Sequence, residues 1–303
     1  MRLTDMDCVI LRRFMESISR QYGVELHVGG PWEYGAGNSV LQRFLVGYIV
    51  HNSPYCLYVK SNHTLMQHCV FAKQQLLKTL EEKGQICGMC HCGVMELVMP
   101  IRREGTIIGY ISAGGFRPEE HLLHRRLQGL TRQYGFKETD LREIYDSSFP
   151  ENRNPSQELQ AALGTLALLF SSFADSLPIT EAPLSGSSIE KTLLCQRALE
   201  YLNMKYPKPI RIADVAGFCN CSESHIQHLF REICGMTIGE YLEELRIDKA
   251  CMLLTETGLP VWQVAARVGY IDANYFSTVF SNRKKLSPTK FREAGNRIIS
   301  INK

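Results

Sequence analysis

DVAGFCNCSESHIQHLFREICGMTIGEYL, from Asp214 to Leu242, is answered about fifty residues later by QVAARVGYIDANYFSTVFSNRKKLSPTKF, from Gln263 to Phe291. Val215-Ala216 matches Val264-Ala265, and Phe230 matches Phe280, with one residue of slack in the turn. Each copy reads as a short helix with a small alanine, a tight turn, and a second helix opened by a polar cap. That is the shape of a helix-turn-helix. Two copies imply two helices offered to two stretches of major groove.

In the first copy, Ile212–Cys219 is the predicted supporting helix, Asn220 the turn and Ser222 the N-cap, since its hydroxyl can accept a backbone N–H. The following helix runs to about Ile233 and stops at Gly235. Ile226, Leu229 and Phe230 form its apolar face, which leaves Ser224, His225, Gln227, His228 and Arg231 on the polar side. Gln can pair with adenine through two hydrogen bonds, and His and Ser reach base edges or phosphates. In the second copy, Gly269 supplies the turn and Asp272 the cap. Phe276 and Phe280 face inward. Ala273, Asn274, Tyr275, Ser277 and Thr278 face outward, with Arg283 and Lys284 beyond. Thr237–Leu254 reads as one helix of about 27 Å at 1.5 Å per residue. A strut of that length suits two reading helices roughly one DNA turn, about 34 Å, apart.

Charge supports this end of the chain. Residues 190–303 carry 16 Lys+Arg against 12 Asp+Glu, and residues 1–189 carry 18 against 19. Between Asp272 and Ile301 the cations Arg283, Lys284, Lys285, Lys290, Arg292 and Arg297 meet only Glu293. Such an excess attracts phosphates, and it is also what a solvated helix end looks like.

A linker is predicted at 176–188, SLPITEAPLSGSS, where prolines, a glycine and serines cluster. Ser187 and Glu190 then form a capping-box pattern ahead of Leu193, Leu194, Ala198 and Leu202. The chain thus divides into 1–175, the linker 176–188, and 189–303. The first part reads as mixed α/β. Helices are predicted at 5–21, 62–83 (ended by Gly84), 119–134, 138–146 and 156–175. Strands are predicted at 24–28, 94–101 and 106–113, the last two as a hairpin through Gly105. The 156–175 helix is apolar over much of its surface. Leu159, Leu163, Leu166 and Phe170 form one stripe, for a core or for pairing with a second copy. Its twelve-residue apolar run is too short to cross a bilayer, and the N-terminus lacks a signal-peptide pattern, so a cytosolic protein is expected.

Eleven cysteines, an odd number, do not suggest a disulfide framework in that compartment. Cys87-x-x-Cys90 has half of a zinc spacing, and Cys69 is a further ligand candidate. In an extended segment Cys90 and Cys92 point one way and His91 the other, which argues against one ion using all three. The same divergence argues against a Cys/His catalytic site, and no phosphate loop is present. Pocket lining by thiols, with a carboxylate or imidazole to orient a hydroxyl, is the reading preferred over metal or thiol-redox sensing. Trp32, in a glycine-rich loop, is a candidate cover.

Two resemblances follow from these residues. Ala216, Ser222, Phe230, Gly235, Tyr241 and Arg246, then Ala265, Gly269, Tyr270, Tyr275, Phe276, Phe280, Ser287, Pro288 and Arg292, resemble the AraC/XylS family of transcription regulators. The resemblance implies sequence-specific DNA binding through Ser224, Gln227 and His228 and through Asn274, Ser277 and Thr278. Lys285 departs from the pattern, standing where the family usually has glycine. YCLYVKSNHTLMQHC (Tyr55–Cys69), CHCGVMELVMPI (Cys90–Ile101) and IIGYISAGG (Ile107–Gly115) resemble the PocR-type sensory domain, a PAS-like module for small organic molecules such as a short diol. It implies an effector site at Cys69, Cys90 and Glu96, with Tyr55, Cys56 and His91 beside it. The alternative is a metal- or redox-sensing regulator using Cys69, Cys87 and Cys90. The expected partners are double-stranded DNA, a small organic effector, RNA polymerase and a second copy of the chain. No cofactor is expected, zinc being the alternative, and neither a membrane nor an enzymatic activity.

Overall fold

The computed structural model describes residues 5–30, 44–149, 155–173 and 186–301. In chain order these form α1 (Asp5–Tyr22), β1 (Glu25–Gly29), a 3-10 turn (Val46–Tyr48), α2 (Pro54–Lys60), α3 (His63–Lys83), β2 (Ile86–Met89), β3 (Met95–Arg103), β4 (Thr106–Phe116), α4 (Glu120–Tyr134), α5 (Glu138–Ser148) and α6 (Gln157–Ser172). The rest is helical: α7 (Gly186–Lys205), α8 (Ile212–Cys219), α9 (Glu223–Cys234), α10 (Ile238–Glu256), α11 (Val261–Arg267), α12 (Ala273–Lys284) and α13 (Pro288–Ile301). Two compact units result. One holds the chain up to Gln196 with Glu232–Gly235, the other Arg197–Arg231 and Met236 onward. The Trp32 loop and residues 176–185 of the predicted linker lie outside the described residues.

The first unit is built on a four-stranded antiparallel sheet, ordered β1-β4-β3-β2. Strand alternation sorts side chains to its two faces. Leu26 and Val28, Ile111 and Ala113, and Leu97, Met99 and Ile101 join a core with Leu11, Met15 and Ile18 of α1 and Leu159, Leu163, Leu166 and Phe170 of α6. The apolar stripe of α6 is therefore core, while Leu168 and Leu169 beside it stay exposed. The other face carries Glu25 and His27, Ser112 and Tyr110, and Glu96 and Val98, in rows fixed by the pairs Glu25↔Gly114↔Glu96 and His27↔Ser112↔Val98. A register shift between Met95 and Glu96 sets that alignment. Half of this face is apolar, with Val98, Ile107 and Tyr110 packed on Leu80. The other half is polar and buried, and that half positions the site.

Sequence periodicity misses α2 and β2. PYCLYVK is only seven residues long, too short for a helical period to show, yet Pro54 opens the helix and the Ser53 hydroxyl accepts the Cys56 amide (3.1 Å). Further along, α7 starts at Gly186, one residue before the predicted cap Ser187.

In the second unit α10 spans 19 residues, about 28 Å. It opens with a reciprocal cap between Thr237 and Glu240. Ile247, Ala250 and Leu254 of α10 pack with Val264, Ala265, Val268, Phe276 and Phe280. Arg246 ties the bundle together. Its guanidinium donates to the Tyr206 and Lys208 carbonyls (both 2.9 Å) and lies over the Tyr270 ring.

Candidate nucleic-acid interface and effector site

The two helix-turn-helix units share one turn design. Asn220 ends α8 and Gly269 follows α11, both with left-handed backbone, φ 53 and φ 91. The next amide then returns to the alanine that matches between the two copies: Cys221 N–H to the Ala216 carbonyl (3.1 Å), Tyr270 N–H to that of Ala265 (2.9 Å). This closes the supporting helix as a left-handed C-cap motif. The cap of the second helix follows at once. The Ser222 hydroxyl accepts the His225 amide (3.2 Å), and the Asp272 carboxylate accepts the Asn274 and Tyr275 amides (2.6 and 3.0 Å).

Burial separates the two faces of each second helix. On α9, Ile226, Leu229 and Phe230 are buried, and Ser222, Ser224, His225, Gln227, His228 and Arg231 are exposed. On α12, Phe276, Val279 and Phe280 are buried, and Asn274, Tyr275 and Thr278 are exposed. Ser277 is half-buried, its hydroxyl returned to the Ala273 carbonyl (2.8 Å). The basic residues have partners within the fold. Arg283 pairs with Glu243 (2.8 Å) and Lys284 with Asp248 (2.8 Å), both acids on α10. Arg292 turns inward and donates to the Leu254 and Leu259 carbonyls, bracing the α10–α11 connection. Its side chain braces the fold with two of its five N–H donors. Ile271, 98% exposed in the turn before α12, is an interface candidate that hydrophobic periodicity passes over. Lys285 does adopt the left-handed conformation its glycine-like place demands (φ 58), at about 1 kcal/mol.

In the sheet unit, the segment Cys90–Gly93 is a tight turn, with Gly93 N–H on the Cys90 carbonyl (3.0 Å) and Cys90 N–H on that of Val94 (2.8 Å). The alternation argument of an extended strand therefore fails here. His91 and Cys92 both turn toward Cys69 on α3, with Cys69 Sγ 3.4 Å from His91 Nε2. A thiol and an imidazole that periodicity set apart do meet. Cys87 is exposed on β2 and is not part of this group, and neither is Cys90. The trio Cys69, Cys87 and Cys90 is thus replaced by Cys69, His91 and Cys92. Tyr55 and Tyr145 pin the turn: Tyr55 Oη donates to the Cys92 carbonyl (2.7 Å) and Tyr145 Oη to that of Gly93 (3.0 Å). Tyr55 is wholly buried and positions the turn, and Cys56 is buried beside it.

The electrostatics are those of a buried polar cluster. A hydrogen bond from Cys92 pulls the Cys69 thiol well below its ordinary value, against burial, with His91 and Lys60 helping. Cys92 rises correspondingly, through that bond and its burial. For His91 burial is the largest influence and opposes the charge, but the Cys69 bond and charge outweigh it and raise the imidazole. Burial pushes Cys90 up to about 12, with Glu96 and Cys69 adding. Lys60, buried at the end of α2, donates to the His51 carbonyl (3.1 Å), and the Glu25 carboxylate accepts the Asn52 and Ser53 amides. Sequence reading missed Glu25, His27, His51, Lys60 and Cys92. Polar residues alternating inward along strands were the available signal. A cleft of about 380 Å³, lined by Leu65, His68, Met89, His91, Arg126 and Tyr134 among others, leads from solvent to His91.

Glu96 gives a direct test of this cluster. Burial, then Cys69 and Glu25, raise its carboxyl to about 7, against weaker opposition from Ser112 and Lys60. The folded state then holds this proton more tightly than the unfolded chain. Its contribution is complete at low pH and is lost as pH climbs from about 4.5 to 7. Glu96→Gln removes the titration. Relative to wild type, the variant gains up to about 3 kcal/mol between pH 5 and pH 8. Urea melts in metal-free buffer at both pH values measure it, and a constant difference would mean that Glu96 is solvated.

Comparison with known proteins agrees with both halves. The family profile described as the sensory domain found in PocR matches residues 6–176, more than half of the chain. A profile described as a helix-turn-helix domain matches residues 215–294. The transcriptional activator RhaR of Cronobacter sakazakii is 40% identical over 83 residues, 26% of this chain and 29% of that protein. The lactose operon transcription activator of Staphylococcus xylosus is 33% identical over 97 residues, 32% and 35% of the two chains. The Msm operon regulatory protein of Streptococcus mutans is 27% identical over 131 residues, 43% and 46%. The chain spans less than half the length of these curated relatives. Among solved structures, the C-terminal domain of AraT, a response regulator from Geobacillus stearothermophilus, is 29% identical, covering 37% of this chain and 88% of that one with a TM-score of 0.33. Among the described residues no helix is long and apolar enough to cross a membrane.

Proposed function

Because the chain belongs to the family of the sensory domain found in PocR and carries an AraC-type helix-turn-helix domain, we propose that it is a ligand-responsive, sequence-specific DNA-binding transcription regulator of the cytosol. Residues 1–175, in a PAS-like role, bind a small organic effector, and residues 189–303 read DNA. The observation that carries this reading is the duplicated turn. Two units with the same left-handed closure and a polar outer face are built around one 19-residue helix. Ser224, Gln227 and His228 face one major groove, and Asn274, Tyr275 and Thr278 the next. The names of the relatives, two of them activators, support activation and a contact with RNA polymerase. The polar cluster of Glu96, Cys69 and His91, with the cleft that reaches His91, supports an effector carrying a hydroxyl or another small polar group. The effector must favour one state of the chain over another, or it changes nothing.

The test uses the full chain, an operator selected from a random pool, and 1,2-propanediol or 1,3-propanediol as probe. Binding should weaken steeply with salt, as phosphate contacts require. A diol that binds at the cluster should raise the melting temperature and change operator affinity together. Selection that enriches no sequence would end the regulator reading. A diol that moves neither quantity would end the diol reading alone.

A further inference from the structure

Cys69, His91 and Cys92 are three metal-ligating side chains brought together by the Cys90–Gly93 turn, and DNA reading makes no use of them. Their donor atoms all lie within 4.8 Å of one another, and Cys69 Sγ is 3.4 Å from His91 Nε2. A tetrahedral ion with sulfur at about 2.3 Å and nitrogen at about 2.0 Å holds its ligand atoms roughly 3.5–3.8 Å apart. The observed spacing closes onto such an ion through small side-chain movements.

We propose that Cys69, His91 and Cys92 form a three-ligand site for a zinc-class ion. Two sulfurs and an imidazole select soft or borderline metals over magnesium and calcium, which take oxygen. Three protein ligands leave the fourth position for water or another small donor. The surroundings are those of a supported site. Tyr55 and Tyr145 hold the carbonyls of Cys92 and Gly93, so the turn that presents two of the ligands is fixed from behind. The cleft that reaches His91 supplies an entry path. The third ligand, Cys69, stands nearly two turns into α3, whose start is capped by Asn62. The site does not depend on the effector reading, because the ion can be a fixed part of the unit.

The experiment takes the reduced full-length chain, stripped with a chelator, and titrates it with cobalt(II). One equivalent should produce the ligand-field bands of a tetrahedral ion and a thiolate-to-cobalt charge-transfer band, and zinc should displace both. Cys69→Ser and Cys92→Ser should each remove one of the two thiolate contributions. His91→Ala should keep the charge-transfer band but weaken binding at least tenfold. Cys87→Ser, at an exposed position on β2, should change nothing. Far-UV circular dichroism of each variant shows that the fold is retained. No charge-transfer band in the folded reduced chain overturns the proposal. So does a band of undiminished intensity in both cysteine variants, or one that disappears in Cys87→Ser.

Discussion

Gly269→Ala is expected to destabilise the helical unit by about 3 kcal/mol or more, the largest effect of any single methyl group we anticipate here. Two costs add. The residue sits at φ 91, where a side chain strains the backbone. A Cβ would also lie 2.6 Å from the Tyr206 carbonyl oxygen and 3.0 Å from the Arg246 guanidinium. Neither can easily give way. Tyr206 O is a backbone atom, and it accepts the Arg246 Nε–H bond (2.9 Å) that helps hold the bundle. Moving it breaks that bond and loosens the turn that aims α12. The comparison is Gly217→Ala on α8, exposed and with no atom within 4 Å of the added methyl. That change should stabilise by about 0.5–1 kcal/mol, as alanine does in a helix. Calorimetry of the two variants separates them. Equal melting temperatures would mean that the Tyr206–Arg246 clamp does not form.

The same turn shows what the sequence makes legible. The duplication, the caps Ser222 and Asp272 and the inward Phe276 and Phe280 all follow from local rules, because a helix end needs a specific residue type at a specific place. The Ile238–Glu256 strut and the Asn62–Gly84 boundaries of α3 are legible for the same reason. The candidate effector site is not. Its members come from β1, α2, α3, a turn and β3, and only the sheet register brings Glu25 and Glu96 into one row. Cys92 was assigned away from His91 by strand alternation, and a four-residue turn reversed that. Arg292 belonged to the matched motif without the motif saying why. The carbonyls of Leu254 and Leu259 give a structural reason for it. Charge counting likewise leaves Arg283 and Lys284 open between phosphates and a solvated helix end, and it does not show the acids of α10 beside them.

The two reading helices should fail separately. Gln227→Ala with His228→Ala removes the polar groups exposed in the middle of α9. Asn274→Ala with Thr278→Ala does the same on α12, where the Thr278 hydroxyl already satisfies itself on the Asn274 carbonyl (3.1 Å), leaving Asn274 the stronger reader. None of these four side chains is buried, so the fold should be retained. Each double variant should lose roughly 10- to 100-fold in operator affinity, the 1–3 kcal/mol expected for a lost base contact. Hydroxyl-radical footprints should then divide. The α9 variant should lose protection over one groove, the α12 variant over the next, about ten base pairs away. Salt-dependent binding to unrelated DNA should persist in both, because neither pair carries a charge needed by the phosphates. Arg292→Ala is the contrast, since it should lower the melting temperature before it changes any footprint. If the α12 variant leaves both grooves protected at wild-type affinity, the second unit is a structural copy, and recognition belongs to α9 alone.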